Sequence, residues 1–531
     1  MINRDSNYPN DTLTPSSGPK LVAVIDVGAS SVRMQIAEIF DDGNIRNIES
    51  FSQALSLGKD SFSKGLIERS TIEGCVHLLS VYRAKLDEYG ISDPEDIRVI
   101  ATSGVNEASN SLAFKDRIFI ATQFEIEDFD QSILHRVTYL GLLPFLRSEP
   151  QFFEKQSVVI EVGGGTTEVL LLDKHDVSFA KTYRLGALRL RKQLEAYDAP
   201  LVKSRELMEA QIERFLEQFL HSVQKVEPKY LVSMGGDVRF AVQLIKQKSV
   251  ADKIVKLSIK ELSKFADDIL KRSPESLVTQ YHLSLPDAQS LGPSLLTHVM
   301  FAKALKVEKI AVANVNLRDG LIKEMTDKHP WTDSIQTQIV RSAMLLGRKY
   351  SFNESHATHV ANLACQLFDQ LEVLHQLPRR WRGLLEIGAL LHEIGLYISS
   401  RSRHKHSMYL INNSEMFGIG EQELQMIAMI ARYFRGATPQ PSHPPYARLS
   451  RNSRVAVSKL AAILRIAKSL DVTHRQPFSK FECRLAPDEV ELFVDQSIDL
   501  SLEKLELKQT GALFSSIFGK TPRLTSTRDE P

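Results

Sequence analysis

The 531-residue chain predicts an α/β fold built by duplication, and three observations carry that prediction. Two stretches share one logic: an apolar run, an acid, a glycine turn with flanking hydroxyls, and a second apolar run. They are LVAVIDVGASSVRMQIAEI at 21–39 and VVIEVGGGTTEVLLL at 158–172. Each reads as strand, tight turn, strand, and about one domain's length separates them. Between and beyond them strand-like apolar runs alternate with helix-like periodicity, the pattern of α/β architecture.

A chain this long exceeds one core. Domains are expected over 21–145, 146–328, 329–475 and 476–525, behind a disordered polar tail at 1–20. The net charge of +1 selects no partner class. No apolar run reaches a membrane span and no signal-peptide pattern opens the chain. Cys75, Cys365 and Cys483 are far apart and form no metal-type pair, which fits a reducing, cytoplasmic setting.

In the first stretch the chemistry lies in Asp26, Gly28, Ser30 and Ser31; in the second, in Glu161, Gly163, Gly164, Gly165, Thr166, Thr167 and Glu168. Glycines without Cβ atoms let backbone N–H groups close on an anion, with Gly164 expected at positive φ. The hydroxyls add donors, and the carboxylates can hold a divalent cation or orient water. One such turn alone reads first as a plain glycine hairpin; its repetition points to two phosphate-binding loops facing one cleft.

Asp41-Asp42-Gly43 marks a hairpin, with a helix near 66–89, a buried strand at 99–102 and a helix at about 104–116. The segment 184–190, with Gly186 and Arg189, is placed beside the cleft, and 203–225 reads as an amphipathic helix. LVSMGGD at 231–237 is a strand ending in Gly235-Gly236, a phosphate site or a bare strand–helix turn.

Residues 329–475 are helical in pattern, and Lys and Arg outnumber Asp and Glu by almost two to one. Arg401, Arg403, Lys405 and His406 form one basic cluster, either a solvated face or a path for a polyanion. Alternation around Pro487-Asp488 predicts a hairpin in a small α+β unit, ending in a polar tail over the last eight residues.

With VIATSGVNEASN (99–110), TYRLGALRL (182–190), VSMGGDVRFA (232–241) and NLRDGLI (316–322) in this order, the chain resembles the exopolyphosphatase/guanosine pentaphosphate phosphohydrolase (Ppx/GppA) family over about 21–525. The resemblance implies duplicated actin-like domains of the sugar-kinase, chaperone-ATPase and ribonuclease-H type. After them come an all-α domain similar to the HD phosphohydrolases and a small α+β domain. It implies release of terminal phosphate from polyphosphate or guanosine pentaphosphate, a magnesium ion on Asp26 and Glu161, and catalytic roles for Asp26, Glu161 and Glu168. A homodimer is expected, with no membrane and no specific nucleic acid as partner. Arg318 and Asp319 of NLRDGLI are expected to form a structural ion pair.

Several positions depart from the resembled pattern. Glu161 stands where the family has Asp, Asn106 where it has Arg, and Ala29-Ser30 where it has Ser-Asn. Ile133 and Leu134 stand where it carries two acids, the second its usual base; Asp128 and Asp130 are nearby substitutes, and Glu168 is the first choice. In the helical region His392-Glu393 replaces a His-Asp pair, and Lys468 occupies a later acid's place, where an ammonium would repel a divalent ion. That region is therefore expected to lack working metal chemistry. Two functions follow: a magnesium-dependent phosphoanhydride hydrolase, or a catalytically silent protein that binds polyphosphate or nucleotide.

Overall fold

Residues 18–174, 176–196, 201–223, 227–247, 254–326, 331–495 and 498–527 are described by a computed structural model. The tail expected at 1–20 lies outside them, except that Gly18 to Lys20 are described and Lys20 already opens the first strand. At the other end the last strand continues to Ser526, into the stretch expected to be a polar tail. Leu524 and Ser526 are buried there by strand pairing.

β1 (Lys20–Val27), β2 (Ser31–Ile39) and β3 (Ile45–Ala54) form an antiparallel meander, and β4 (Ile97–Ala101) and β5 (Ile126–Asp128) add in parallel on the far side of β1. The order is β3-β2-β1-β4-β5. β6 (Ser157–Val162), β7 (Thr167–Asp173), β8 (Asp176–Tyr183), β9 (Tyr230–Met234), β10 (Val255–Ser258) and β11 (Lys309–Val312) make the second sheet, ordered β10-β11-β9-β6-β7-β8. Reading β8-β7-β6-β9-β11 repeats the first sheet in order and in strand direction, with β10 as an added edge. The duplication inferred from two turns therefore extends to both whole sheets. Val22 to Val27 are buried continuously in β1, as expected of a strand covered on both faces.

The helix expected near 66–89 runs Arg69–Glu88. The one expected at 104–116 is broken into Ser103–Asn106 and Ser111–Thr122. The break is a tertiary effect. Asn110 accepts from the Ile67 N–H at 2.9 Å and donates to the Ile67 carbonyl at 2.8 Å, pinning the chain in a turn.

The boundary expected at 145/146 falls inside the helix Gln131–Ser148, which packs on the helix Leu317–Thr326. Glu324 lies buried between Arg98 and Arg136, at 2.7 and 2.8 Å. Arg136 continues to the Gly418 carbonyl at 3.0 Å. Asp130 caps the helix Gln131–Ser148 through the Ile133 N–H and also takes the Glu421 N–H at 2.6 Å. One carboxylate thus ties the first sheet's end to the helical region.

Beyond Trp331 the chain is helical, as expected, with long helices at Asp333–Lys349, Glu354–Gln370, Glu421–Arg432 and Arg451–Ser469. Its core is continuous with one face of the second sheet: Val159, Leu170, Ile339, Leu385, Ile430 and Leu464 belong to one apolar cluster. The hairpin around Pro487-Asp488 joins β12 (Glu482–Leu485) to β13 (Glu489–Val494), and β14 (Thr521–Ser526) pairs in parallel with β13. Among the described residues no helix is long and apolar enough to cross a membrane.

Candidate active site

The two glycine turns are built alike. The Gly28 N–H donates to the Ser31 carbonyl at 3.0 Å, and the Gly163 N–H to the Thr166 carbonyl at 2.8 Å. Just before each turn stands the acid, and strand register fixes what faces it. Asp26 pairs with Arg33 across β1 and β2, and Glu161 pairs with Glu168 across β6 and β7.

The expected segment at 184–190 does pack beside the second turn. The Ala187 N–H bonds the Gly163 carbonyl at 2.9 Å, and the Leu188 and Arg189 N–H groups both bond the Gly164 carbonyl at 3.0 Å. Arg189 Nε bonds the Gly165 carbonyl at 2.9 Å, its guanidinium lying over Phe62 at 4.1 Å. In a trans peptide the next N–H points opposite to the carbonyl. The N–H groups of Gly164, Gly165 and Thr166 therefore point away from this segment, and they meet no acceptor among the described residues. Three such donors in succession make an anion nest.

The glycines serve space rather than a left-handed backbone. Gly163 to Gly165 are not at positive φ, contrary to the expectation for Gly164. A Cβ on Gly165 would strike Ser103 and Phe62, and one on Gly186 would overlap the backbone of Gly164 and Gly165. Gly235, at φ +114°, is the one position in the site whose backbone demands glycine.

Both turns and the Gly235-Gly236 corner line one cleft of about 400 Å³. Asp26, Gly28, Ser30, Ser31, Glu161, Gly163, Gly164, Gly165, Thr166, Glu168, Gly235 and Gly236 all border it, as expected. Thr167 does not. It alternates with Glu168 along β7, so its buried hydroxyl turns the other way and donates to the Leu185 carbonyl. Arg401, Arg403, Lys405 and His406 are absent from the lining, which among the described residues reaches no further than Arg318. Arg403 is engaged with Glu393 at 2.9 Å, while Arg401 and Lys405 are exposed.

The cleft also contains residues the sequence reading passed over, Arg33, Ser103, Asp237, Arg239 and Asp287, together with Arg318, expected only as a structural partner of Asp319. Arg318 pairs with Asp26 at 3.4 Å, not with Asp319. Consecutive residues on a helix point apart, and Asp319 instead accepts from Gln35 and from the Asn316 N–H, both at 2.9 Å. Leu134, at the position where the resembled family carries its base, does border the cleft, so no acid stands at that position; the side chain of Asp128 lies outside the described residues. Asp130 is no substitute, being held by two backbone N–H groups.

The three carboxylates differ in their surroundings. Burial raises the pKa of Glu161, Arg239 pulls against it, and Asp26 raises it further. Burial raises Glu168 well above the ordinary glutamate range, Glu161 and then Asp26 raise it more, and no arginine opposes them. Asp26 Oδ1 and Glu168 Oε2 are buried oxygens without a hydrogen-bond partner. Asp237, pushed up to about 6 by burial, also lines the cleft. The divergence sets Glu161, which an arginine opposes, apart from Glu168, which none opposes, and so marks Glu168 as the better proton acceptor.

A model of the Ppx/GppA phosphatase family matches residues 36–329, and one of Ppx/GppA phosphatase domain III matches 340–511. The chain is 23% identical over 514 residues to a guanosine-5'-triphosphate,3'-diphosphate pyrophosphatase of Vibrio vulnificus, covering 93% of this chain and 97% of the relative. It is 24% identical over 428 residues to the protein of that name from Photobacterium profundum, covering 78% and 80%. An exopolyphosphatase structure from Cytophaga hutchinsonii shares the fold with a TM-score of 0.52 at 18% identity, over 58% of this chain and 99% of that one.

Proposed function

Because the chain belongs to the Ppx/GppA phosphatase family, we propose that it hydrolyses terminal phosphoanhydride bonds in the cleft between its two sheets. The substrate is guanosine pentaphosphate or inorganic polyphosphate. The observation that carries this reading is the meeting of two like glycine turns with Asp26, Glu161, Glu168 and three arginines in one cleft. Phosphoanhydride hydrolysis needs donors for phosphate charge and a base that aims water in line. The Gly164, Gly165 and Thr166 N–H groups with Arg33, Arg239 and Arg318 supply the first; Glu168 supplies the second.

Asp26, paired with Arg318 at 3.4 Å, and Glu161, with the Arg239 charge nearby, suit a hard cation, and the unpartnered Asp26 Oδ1 is a free oxygen for it. Magnesium bound there would neutralise charge on the phosphate oxygens. Glu168, with no arginine beside it, takes the proton of the attacking water. Its raised pKa keeps it a strong enough base to hold that proton.

Relatives named for guanosine pentaphosphate span nearly the whole chain, which favours the nucleotide. The rest of the cleft lining agrees: Phe240, Leu283 and Leu291 offer apolar contact, and Asp237, Asp287 and Ser290 offer acceptors for a nucleoside. The basic residues Arg401 and Lys405 remain the proposed path for longer polymers. The reading extends to a cytoplasmic protein that pairs with a second copy, which sedimentation tests. Phosphate release from guanosine pentaphosphate and from polyphosphate, with and without magnesium, tests the function. Binding without release would leave a silent sensor of these anions.

A further inference from the structure

The helical region holds a second cluster of ligating groups, remote from the cleft lining. His356 lies in the first turn of the helix Glu354–Gln370, His392 and Glu393 follow the helix Arg380–Leu391, and His474 lies in the turn beyond the helix Arg451–Ser469. One nitrogen each of His356 and His474 and one oxygen of Glu393 lie within 4.8 Å of one another. His356 Nε2 is 4.0 Å from Glu393 Oε2.

The buried imidazoles are fixed with their far nitrogens bare. His356 Nδ1 is 2.7 Å from the Asp471 carboxylate, which also accepts from the Gln476 N–H at 2.7 Å. The His356 Nδ1–H therefore donates to Asp471, so in the neutral ring Nε2 carries the lone pair. His392 Nδ1 faces the Ala389 carbonyl at 2.6 Å and must donate to it, leaving its Nε2 in the same state. Both side chains are at least nine-tenths buried, at 2% and 0% exposure, and both Nε2 atoms lack a hydrogen-bond partner. Leaving a buried acceptor without a partner is unfavourable. An imidazole tied at one nitrogen by a carboxylate or carbonyl and bare at the other is how metal-bound histidines are held.

The cations nearby do not fill the place. Lys468, expected from the sequence to repel a divalent ion, is turned to Glu506 at 2.9 Å. Arg403 engages Glu393 through Oε1 and leaves Oε2 open. We propose that His356, Glu393 and His474 bind a divalent transition-metal ion, with Asp471 positioning His356. Two imidazoles and one carboxylate select zinc, manganese, iron or cobalt over magnesium or calcium, which prefer oxygen. His474 now stacks face to face on His356 at 3.6 Å, so coordination requires it to turn edge-on; it is exposed, with Asn353 at 3.5 Å from its Nδ1 as the contact to be exchanged. The ion would join two helices to the turn at 471–474 and so brace the helical region.

The test uses the full chain, stripped with chelator and titrated with cobalt(II), followed by its visible absorption. The expected result is one tightly held ion per chain, displaced by zinc and untouched by excess magnesium. Glu393→Gln, His474→Ala and Asp471→Asn should each weaken binding by about tenfold or more, with thermal melts confirming that each variant folds. Loss of the cobalt signal in Glu161→Gln, or undiminished binding in folded Glu393→Gln and His474→Ala, would overturn the proposal. So would a wild type that takes up no cobalt.

Discussion

Glu168→Gln separates ionisation from shape and has two opposed consequences. Gln keeps the side chain's size and removes its charge. If Glu168 is the base, turnover falls by about two to four orders of magnitude, or about 3–5 kcal/mol of transition-state stabilisation. The same substitution should stabilise the fold. Glu168 stands directly opposite Glu161 across the strand pair and near Asp26, half-buried with its Oε2 shut off from solvent, and its pKa is raised. A raised carboxylate binds its proton more tightly folded than unfolded. Its contribution is therefore complete below the ordinary glutamate pKa and is lost as pH rises to the raised value. Across that window wild-type stability should fall by about 1.4 kcal/mol per pH unit, a slope the Gln variant lacks. The acid limb of wild-type turnover should lie above the ordinary glutamate range for the same reason. Urea unfolding in chelator across pH, paired with phosphate release, reads both effects. Full turnover in the variant, or parallel pH–stability curves, would refute the assignment.

Gly186→Ala should abolish phosphate binding and destabilise the protein, because its Cβ would overlap the backbone of Gly164 and Gly165; calorimetric titration and thermal melting read the two losses. Glu324→Gln should cost about 3–5 kcal/mol in denaturant unfolding, since it leaves the Arg98 and Arg136 guanidiniums short of a buried partner. Arg401→Ala with Lys405→Ala should flatten the salt dependence of polyphosphate affinity, by analogy with counterion release from nucleic acids. Arg403→Ala should change that slope less, its charge being already matched by Glu393.

The duplication was legible because each turn carries its chemistry in consecutive residues. What faces each turn was not, although the repeat held a clue: Arg33 occupies in the first hairpin the place Glu168 occupies in the second. Thr167 was assigned to phosphate by composition, whereas strand alternation turns it inward to Leu185. Arg318 and Asp319 looked like a pair as neighbours in sequence, but their partners, Asp26 and Gln35, come from the first sheet. The break in the expected helix at 104–116 depends on Asn110 reaching Ile67, a contact no local pattern encodes. Lys468 seemed to forbid a metal because its partner Glu506 lies in a different element. In each case the local chemistry was readable and the long-range partner was not.

The central claim is that water attacks a terminal phosphorus in the cleft under the control of Glu168. Turnover of guanosine pentaphosphate with magnesium in oxygen-18 water, followed by mass spectrometry, tests it most directly. The account predicts one labelled oxygen in the released phosphate, none in the guanosine tetraphosphate left behind, and no labelled phosphate above background with Glu168→Gln. Recovery of intact guanosine pentaphosphate from wild-type protein, or label in the nucleotide product, would contradict it.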